Sequence, residues 1–427
     1  MRDMRESGVE WIGSVPATWQ TLTIGSLFKV RNEKVNDTDY PPLSVSKGGI
    51  VPQMENVAKS DANDNRKMVL VDDFVINSRS DRKQSCGVSP LDGSVSLINT
   101  VLYTAKGAPV VPAYLNYLMK NHGFAEEFYR WGHGIVADLW TTRWLEMKSI
   151  LLPIPTVEEQ QQILAAISVE SEKVDALIAN IWAQIEKLKA YKQSVITEVV
   201  TKGLDPSVPM KDSGVEWIGE IPKHWSMTRI KFICDTFGRI GFRGYTTDDF
   251  VPEGEGAITL SPSNFSDMKM NYSKCSYLSW DKYNESPEIQ IKNGDVLFVK
   301  TGSTYGKSCL VYNLPCEATI NPQSIVFKKF KCDARLFCYF LNSVYAYWQV
   351  EQTVVGGTIP TIAQSKIINY IIVLPDEQSQ AEIVAYLDEK CSQIDRLIAI
   401  KQKKINKLTE YKKSLIYEYV TGKKEVP

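Results

Sequence analysis

The feature that most constrains this chain is that part of it is written twice. Ser7-Gly-Val-Glu-Trp-Ile-Gly13 recurs letter for letter as Ser213-Gly-Val-Glu-Trp-Ile-Gly219, and the match continues through Pro16 and Pro222 to Trp19 and Trp225. A second match lies farther on. Asp175-Ala-Leu-Ile-Ala179 answers Asp395-Arg-Leu-Ile-Ala399, and Ile185, Lys187, Leu188, Tyr191, Lys192, Ser194 and Ile196 recur at 405, 407, 408, 411, 412, 414 and 416. The first offset is 206 (213 against 7) and the second 220 (395 against 175), so the middle of the second copy is longer by 14. Between the matched segments, residues 20–150 and 226–370 look unlike each other, apart from echoes such as Ile98-Asn99 beside Ile320-Asn321. Two copies of one frame therefore hold two different inserts.

The second repeated segment reads as a long helix in each copy. Val174, Ile178, Ile181, Ile185, Leu188, Lys192, Val195 and Val199 step alternately by four and three, a heptad seam. Ile394, Ile398, Lys401, Ile405, Leu408, Lys412, Leu415 and Tyr419 step identically. A proline stands shortly before each start (Pro155, Pro375), and acidic residues fill the first turn (Glu158, Glu159; Asp376, Glu377). A helix from 157 to 201 would be roughly 65 Å long. One apolar seam alone is unstable in water, so the two are expected to pair, antiparallel, as a coiled coil. Residues 156–202 carry 5 basic and 7 acidic groups and residues 376–424 carry 10 and 8, a net −2 facing +2. The Lys-rich second helix reads as a solvated coiled-coil flank rather than a DNA-backbone contact.

The inserts read as mixed α/β. Short β-rich runs such as Lys67–Val71, Phe74–Ile76, Val296–Val299 and Ser324–Phe327 are bounded by Gly, Pro, Asn and Asp. One helical stretch is expected in each insert, at Pro112–Tyr129 and Ala334–Gln349, with a final strand at Ile150–Leu152 and Ile371–Leu374. Trp131, Trp140, Trp144 and Trp348 are expected in the core. The predicted fold class is α+β, with a pseudo-two-fold internal repeat: head 1 over 1–155, a spacer helix over 156–203, head 2 over 204–375 and a second spacer helix over 376–427.

Composition narrows the function. Lys+Arg 49 against Asp+Glu 50 leaves a net charge of −1, so an anion-binding face has to come from local arrangement rather than excess. The 8 cysteines form no C-x-x-C pair and the 3 histidines stand near none of them, so no metal site is expected. No apolar run is long enough to span a membrane and no signal-peptide core opens the chain, which reads as cytoplasmic.

Three motifs tempt and fail. Val299-Lys-Thr-Gly-Ser-Thr-Tyr-Gly-Lys-Ser308 ends like a phosphate loop, but Thr301 stands where that register needs glycine, and a strand is expected to follow instead of a helix. Asn321-Pro-Gln-Ser324 lacks the second proline and the aromatic of the amino-methyltransferase motif. Gly238-Arg-Ile-Gly-Phe-Arg-Gly244 has the wrong spacing for a dinucleotide fingerprint. No catalytic constellation emerges.

Two unlike heads on a repeated frame suit a split, non-palindromic DNA target with an unread gap, since like heads would read a palindrome. At this point the chain resembles a known family, the DNA specificity subunits of type I restriction–modification systems. The resemblance rests on Ser7–Trp19 and Ser213–Trp225, on Pro155…Glu159-Gln160…Ile163 and Pro375…Gln378…Ile383, and on the long helix after each. Gly294-Asp-Val-Leu-Phe298 with the Gly302–Gly306 loop also looks like an element of target-recognition domains, whereas the first head has Asp72-Asp-Phe-Val-Ile76 in that place.

The resemblance implies two target-recognition domains in a subunit with no catalytic activity. Its partners would be double-stranded DNA, two modification (methyltransferase) subunits bringing S-adenosylmethionine, and restriction/translocase subunits using ATP and Mg²⁺; no membrane is involved. Candidate DNA contacts in head 1 are Arg79, Arg82, Lys83 and Gln84, after the central strand, and Arg130, His133 and Arg143, before the last. In head 2 they are Arg239, Arg243, Lys300, Thr301, Ser303, Tyr305, Lys307 and Gln323. Arg and Gln suit base edges, whereas Lys, Ser and Thr more often take phosphates. The alternative is a self-contained DNA-modifying enzyme with its own recognition domains, which would need catalytic domains beyond these heads and helices.

Overall fold

A computed structural model describes residues 2–53, 65–79, 82–134, 140–241 and 244–426. The chain forms two compact units: unit 1 comprises Met1–Ile181 with Gln402–Pro427, and unit 2 comprises Trp182–Lys401. This differs from the four-part division expected from sequence. Each unit takes about half of each long helix.

The first long helix is Val157–Lys202 and the second Glu377–Val420. Both start as the sequence predicts. Thr156 Oγ1 accepts from Glu159 N (3.2 Å), and Asp376 Oδ1 accepts from Ser379 N (3.1 Å), which satisfies amides with no partner inside the helix. Both end at a left-handed glycine, Gly203 (φ +79°) and Gly422 (φ +72°). A Cβ at position 422 would stand 2.3 Å from Pro16 Cδ, so the chain there can only be glycine.

Along the seam Val174, Ile181, Ile185, Ile394, Ile405 and Leu415 are buried, while Ile178, Leu188, Ile398 and Leu408 are half-buried. In unit 2, Gln184 meets Lys401 and Lys192 meets Asp395, so one number rises as the other falls and the segments run antiparallel. In unit 1 the contact is Lys412 with Asp175.

The heads share one topology despite their unlike sequences. In unit 1 a four-stranded antiparallel sheet has the order Cys86–Val88, Phe74–Asn77, Asn99–Thr104, Phe28–Val30. In unit 2 the order is Ser308–Leu310, Val296–Val299, Ser324–Lys328, Asp235–Gly238, the same arrangement. The turn into each central strand is built alike. Asp73 Oδ2 accepts from Leu70 N (2.9 Å) and from Arg31, and Asp295 Oδ2 accepts from Lys292 N (2.8 Å) and from Lys328. Asp72 holds φ +69° where Gly294 holds +92°. The extra length of the second copy falls between the first strand and the central one. Each unit has a second sheet: three strands in unit 1, in the order Gly93–Val95, Arg66–Val69, Lys34–Val35, and four in unit 2, with a parallel pair, Ala257–Leu260 beside Ala318–Ile320.

Each head is tied to its frame by a two-stranded ribbon, Gln20–Thr23 with Leu151–Ile154 and Ser226–Arg229 with Ile371–Leu374. The expected single helices are each broken in two: Pro112–Leu118 and His122–Arg130, Ala334–Leu341 and Val344–Thr353. Asn121 and Ser343 cap the second helices by accepting from Phe124 N and Ala346 N, and a residue capping a start cannot continue the preceding helix. Trp140 and Trp144 are half-buried, but Trp131 and Trp348 are 36% and 43% exposed, outside the core expected for them. No described helix is long and apolar enough to cross a membrane.

Candidate nucleic-acid interface

In each head the central strand runs out into a loop that a distant segment clips in place. In unit 1 the backbone of Arg79 bridges to Thr141, Thr141 pairs with His133 (2.9 and 3.0 Å), and Thr142 N donates to Ser78 O (3.0 Å). In unit 2 Thr301 bridges to Thr361, Thr361 pairs with Val355 (2.8 and 2.9 Å), and Ile362 N donates to Lys300 O (2.8 Å). The structure thus brings Arg79 together with His133 and sets Thr301 in the equivalent place. Thr141, Val355 and Thr361 were not legible as part of this arrangement. They lie in loops far along the chain, and short polar segments carry no periodic signal.

In unit 1 Arg79 and Arg82 are exposed, and Lys83 lies 3.0 Å from both Glu126 oxygens and 4.1 Å over the Tyr129 ring. Gln84 follows in left-handed backbone (φ +63°), an uncommon conformation for a non-glycine residue. His133 and Arg143 are exposed; Arg143 is the N-cap residue of the short helix Trp144–Met147, its N–H donating to Glu146 (3.0 Å). Arg130 pairs with Glu10 (2.8 Å) and Glu127 (3.4 Å), which ties it to the frame.

In unit 2 the Gly302–Gly306 loop is a tight turn. Gly302 (φ +104°) donates to Pro360 O, and Gly306 (φ +83°) donates to Val299 O, each at 2.9 Å. This holds Ser303 and Lys307 exposed beside half-buried Lys300 and Thr301. Tyr305 donates its hydroxyl to Glu351 (2.9 Å). Gln323 is exposed, and its carbonyl accepts from Lys300 N (2.8 Å) and Thr301 N (3.2 Å). A strand, Ser308–Leu310, follows the loop, so no helix N-terminus is available to hold a phosphate there.

Arg239 departs from its expected place. It is 6% exposed, its Nε donates to Ile320 O (3.3 Å) and its Nη2 to Thr319 Oγ1 (3.1 Å), and it stacks over Tyr245 at 5.2 Å. Burial lowers its pKa. Among the described residues its hydrogen bonds go to the strand Ala318–Ile320. Arg243 lies outside the described residues.

Both loops present donors that can meet DNA. Guanidinium and amide groups offer the paired hydrogen bonds base edges accept, and ammonium and hydroxyl groups suit phosphates. Among the described residues no three His, Cys, Asp or Glu side chains gather as a metal site. Burial pushes the Cys86, Cys234 and Cys338 thiols up to about 12, away from thiolate chemistry.

Residues 258–410 match the family model of the type I restriction modification DNA specificity domain. The chain is 28% identical over 281 residues to the type I restriction enzyme MjaVIII specificity subunit of Methanocaldococcus jannaschii, covering 65% of this chain and 62% of the length of that relative. Its fold is similar to a solved chain from work on complex assembly and conformational transition of the type I R-M system, at a TM-score of 0.63 and 17% identity, covering 95% of this chain and 98% of the other. The crystal structure of the HsdS subunit from Thermoanaerobacter tengcongensis matches at 18% identity and a TM-score of 0.46, covering 98% and 99%.

Proposed function

Since this chain belongs to the DNA specificity subunits of type I restriction–modification systems, whose role is DNA recognition, we propose that its two heads read the two halves of a split, asymmetric target. The observation that carries this reading is one strand-end loop built twice with different side chains: Arg79, Arg82, Lys83 and Gln84 in one head, Lys300, Thr301, Ser303 and Lys307 in the other. Equal scaffolds with unequal donors read unequal sequences.

The subunit is non-catalytic and acts in the cytoplasm. The repeated frame offers two like docking places to two identical modification subunits. Those subunits bring S-adenosylmethionine, and the restriction subunits bring ATP and Mg²⁺. A net charge of −1 leaves isolated DNA binding weak, with partners supplying much of the phosphate contact.

The test is exchange of residues 20–150 for those of another family member, followed by methylation mapping of the assembled complex. One half-site should change and the other stay; a change in both would end the two-head reading. In parallel, the purified chain incubated with DNA, S-adenosylmethionine and Mg²⁺ should neither methylate nor cut.

A further inference from the structure

The duplication makes each unit a template for the other. Long-helix positions correspond at an offset of 220, which matches Lys192 with Lys412 and Gln193 with Lys413. The short head helices start at 112 and 122 in one unit and at 334 and 344 in the other, an offset of 222 that matches Lys120 with Asn342.

In unit 2 the head covers the long-helix lysine. Asp267, at the tip of the hairpin Phe265–Ser266/Lys269–Met270, puts a carboxylate 2.9 Å from Lys192 Nζ, and Lys269 reaches Asp395 at 3.1 Å. Beside it Gln193 Nε2 donates to the Asn342 carbonyl, and Val344 N donates to Thr197 Oγ1 at 3.0 Å, so head and helix are in direct contact.

In unit 1 the same place is a groove of about 970 Å³ between residues 116–123 and 410–417. The neutral residues that close it in unit 2 are lysines here, Lys413 for Gln193 and Lys120 for Asn342. Lys412 is held by Asp175 at 2.7 Å, and among the described residues no carboxylate of the head reaches it. Its side chain keeps 28% exposure against 8% for Lys192. Tyr117, Ile416 and Tyr417 give the groove apolar wall, and Glu410, the one carboxylate among its described lining residues, is engaged by Lys413 at 2.9 Å.

We propose that this groove of unit 1 receives an acidic turn of the modification subunit docked on that unit, an Asp or Glu beside a large apolar residue, as Asp267-Met268 meets Lys192 in unit 2; the copy docked on unit 2 makes no such contact, because the head fills the place there. The carboxylate completes the pairing of Lys412, and the apolar side chain covers Ile416 and Tyr417. A carboxylate is favoured over a DNA phosphate because the repeat already places one on the equivalent lysine, and because an apolar wall gains nothing from a hydrated phosphate backbone. The inference rests on the assembly reading above and adds to it the chemistry of one contact.

The test uses the full chain and its modification subunit. The double variant Lys120→Glu/Lys413→Glu should weaken their association at least tenfold and reduce its dependence on salt, while leaving the thermal midpoint and the partner-free DNA affinity unchanged. A second pair, Lys120→Asn/Lys413→Gln, carries the residues of unit 2 and keeps the test open if charge reversal disturbs folding; it should weaken association by a smaller factor. A photoreactive residue at position 122 should cross-link to an acidic segment of the modification subunit. Association of the reversed variant equal to wild type would overturn the proposal, as would cross-links to DNA or to a second copy. A wild-type chain that bound no modification subunit would instead sink the assembly reading itself.

Discussion

Lys192 and Asp395 lie 2.7 Å apart in unit 2, and the residues 220 positions from each, Lys412 and Asp175, lie 2.7 Å apart in unit 1. The first long helix gives the lysine in one unit and the aspartate in the other. The duplication has thus kept an ion pair together with the apolar seam, and its two copies sit in unequal surroundings. Lys192 is buried and shared with Asp267, whereas Asp175 is 59% exposed.

Asp395→Asn should therefore cost about 1–3 kcal/mol, since it leaves a buried ammonium short of one partner. Asp175→Asn should cost under about 1 kcal/mol, as an exposed pair does. Urea midpoints of the two variants would check the order.

The same pair sets a pH dependence. Burial pushes the Asp395 carboxyl up, but hydrogen bonds from Lys192 and Lys269 more than offset this and hold it below its ordinary 3.8. On acidification the unfolded chain takes up this proton first, so the contribution is complete at neutral pH and is lost as pH falls through the lowered folded value. The stability gap between wild type and Asp395→Asn should stay constant from about pH 7 to 5 and close below about pH 4. A gap that widened on acidification would contradict the pairing.

A buried glutamine fastens each head to its long helix. Gln160, 0% exposed, donates to Pro109 O (2.7 Å) and Pro155 O (3.0 Å) and accepts from Val111 N (2.7 Å). Its counterpart is Gln380, which donates to Pro375 O and accepts from Asp333 N, each at 2.9 Å. Gln378, which the sequence pattern sets between Pro375 and Ile383, donates to Glu382 one turn on. Gln160→Leu strands a backbone amide and two carbonyls and should cost about 2–4 kcal/mol by urea denaturation. Gln380→Leu, with fewer bonds and partial exposure, should cost less.

What the sequence shows is what repeats locally. The seam, the helix starts and the strand after Asp295 each carry their pattern within a few residues. The common topology of the heads is hidden because a buried central strand asks only for apolar bulk, which Phe74–Asn77 and Val296–Val299 supply with different residues. Arg239 is misread for the opposite reason. A cation at a strand end looks like a surface contact until Thr319 and Ile320, some eighty residues away, prove to be its acceptors. The division of each long helix between two units is likewise tertiary, and no local pattern carries it.

The two frames differ at one buried tryptophan. Trp19 Nε1 donates to Glu159 (3.0 Å), while among the described residues Trp225 Nε1 has no partner, because Ser379 stands where Glu159 does in the first copy. Glu159→Ala should destabilise unit 1 by about 1–3 kcal/mol through the stranded indole N–H, and Ser379→Ala should cost unit 2 less, since it removes only a cap contact to Asp376. Differential hydrogen exchange in the two units would separate the effects.

The strand-end loops predict how binding responds to substitution. Lys307 is exposed on a loop fixed at both ends by glycine amides and is suited to a phosphate. Lys307→Ala should weaken DNA binding of the assembled complex evenly across targets and reduce the slope of log affinity against log salt by about 1. Arg79 is fixed by the Thr141 bridge, and its guanidinium suits a base edge. Arg79→Ala should cost about 1–3 kcal/mol on the cognate target and relax preference at one position of one half-site only. Affinities measured over single-base target variants at two salt concentrations would distinguish the two behaviours. Equal loss on every target for Arg79→Ala would move that residue from base reading to phosphate contact.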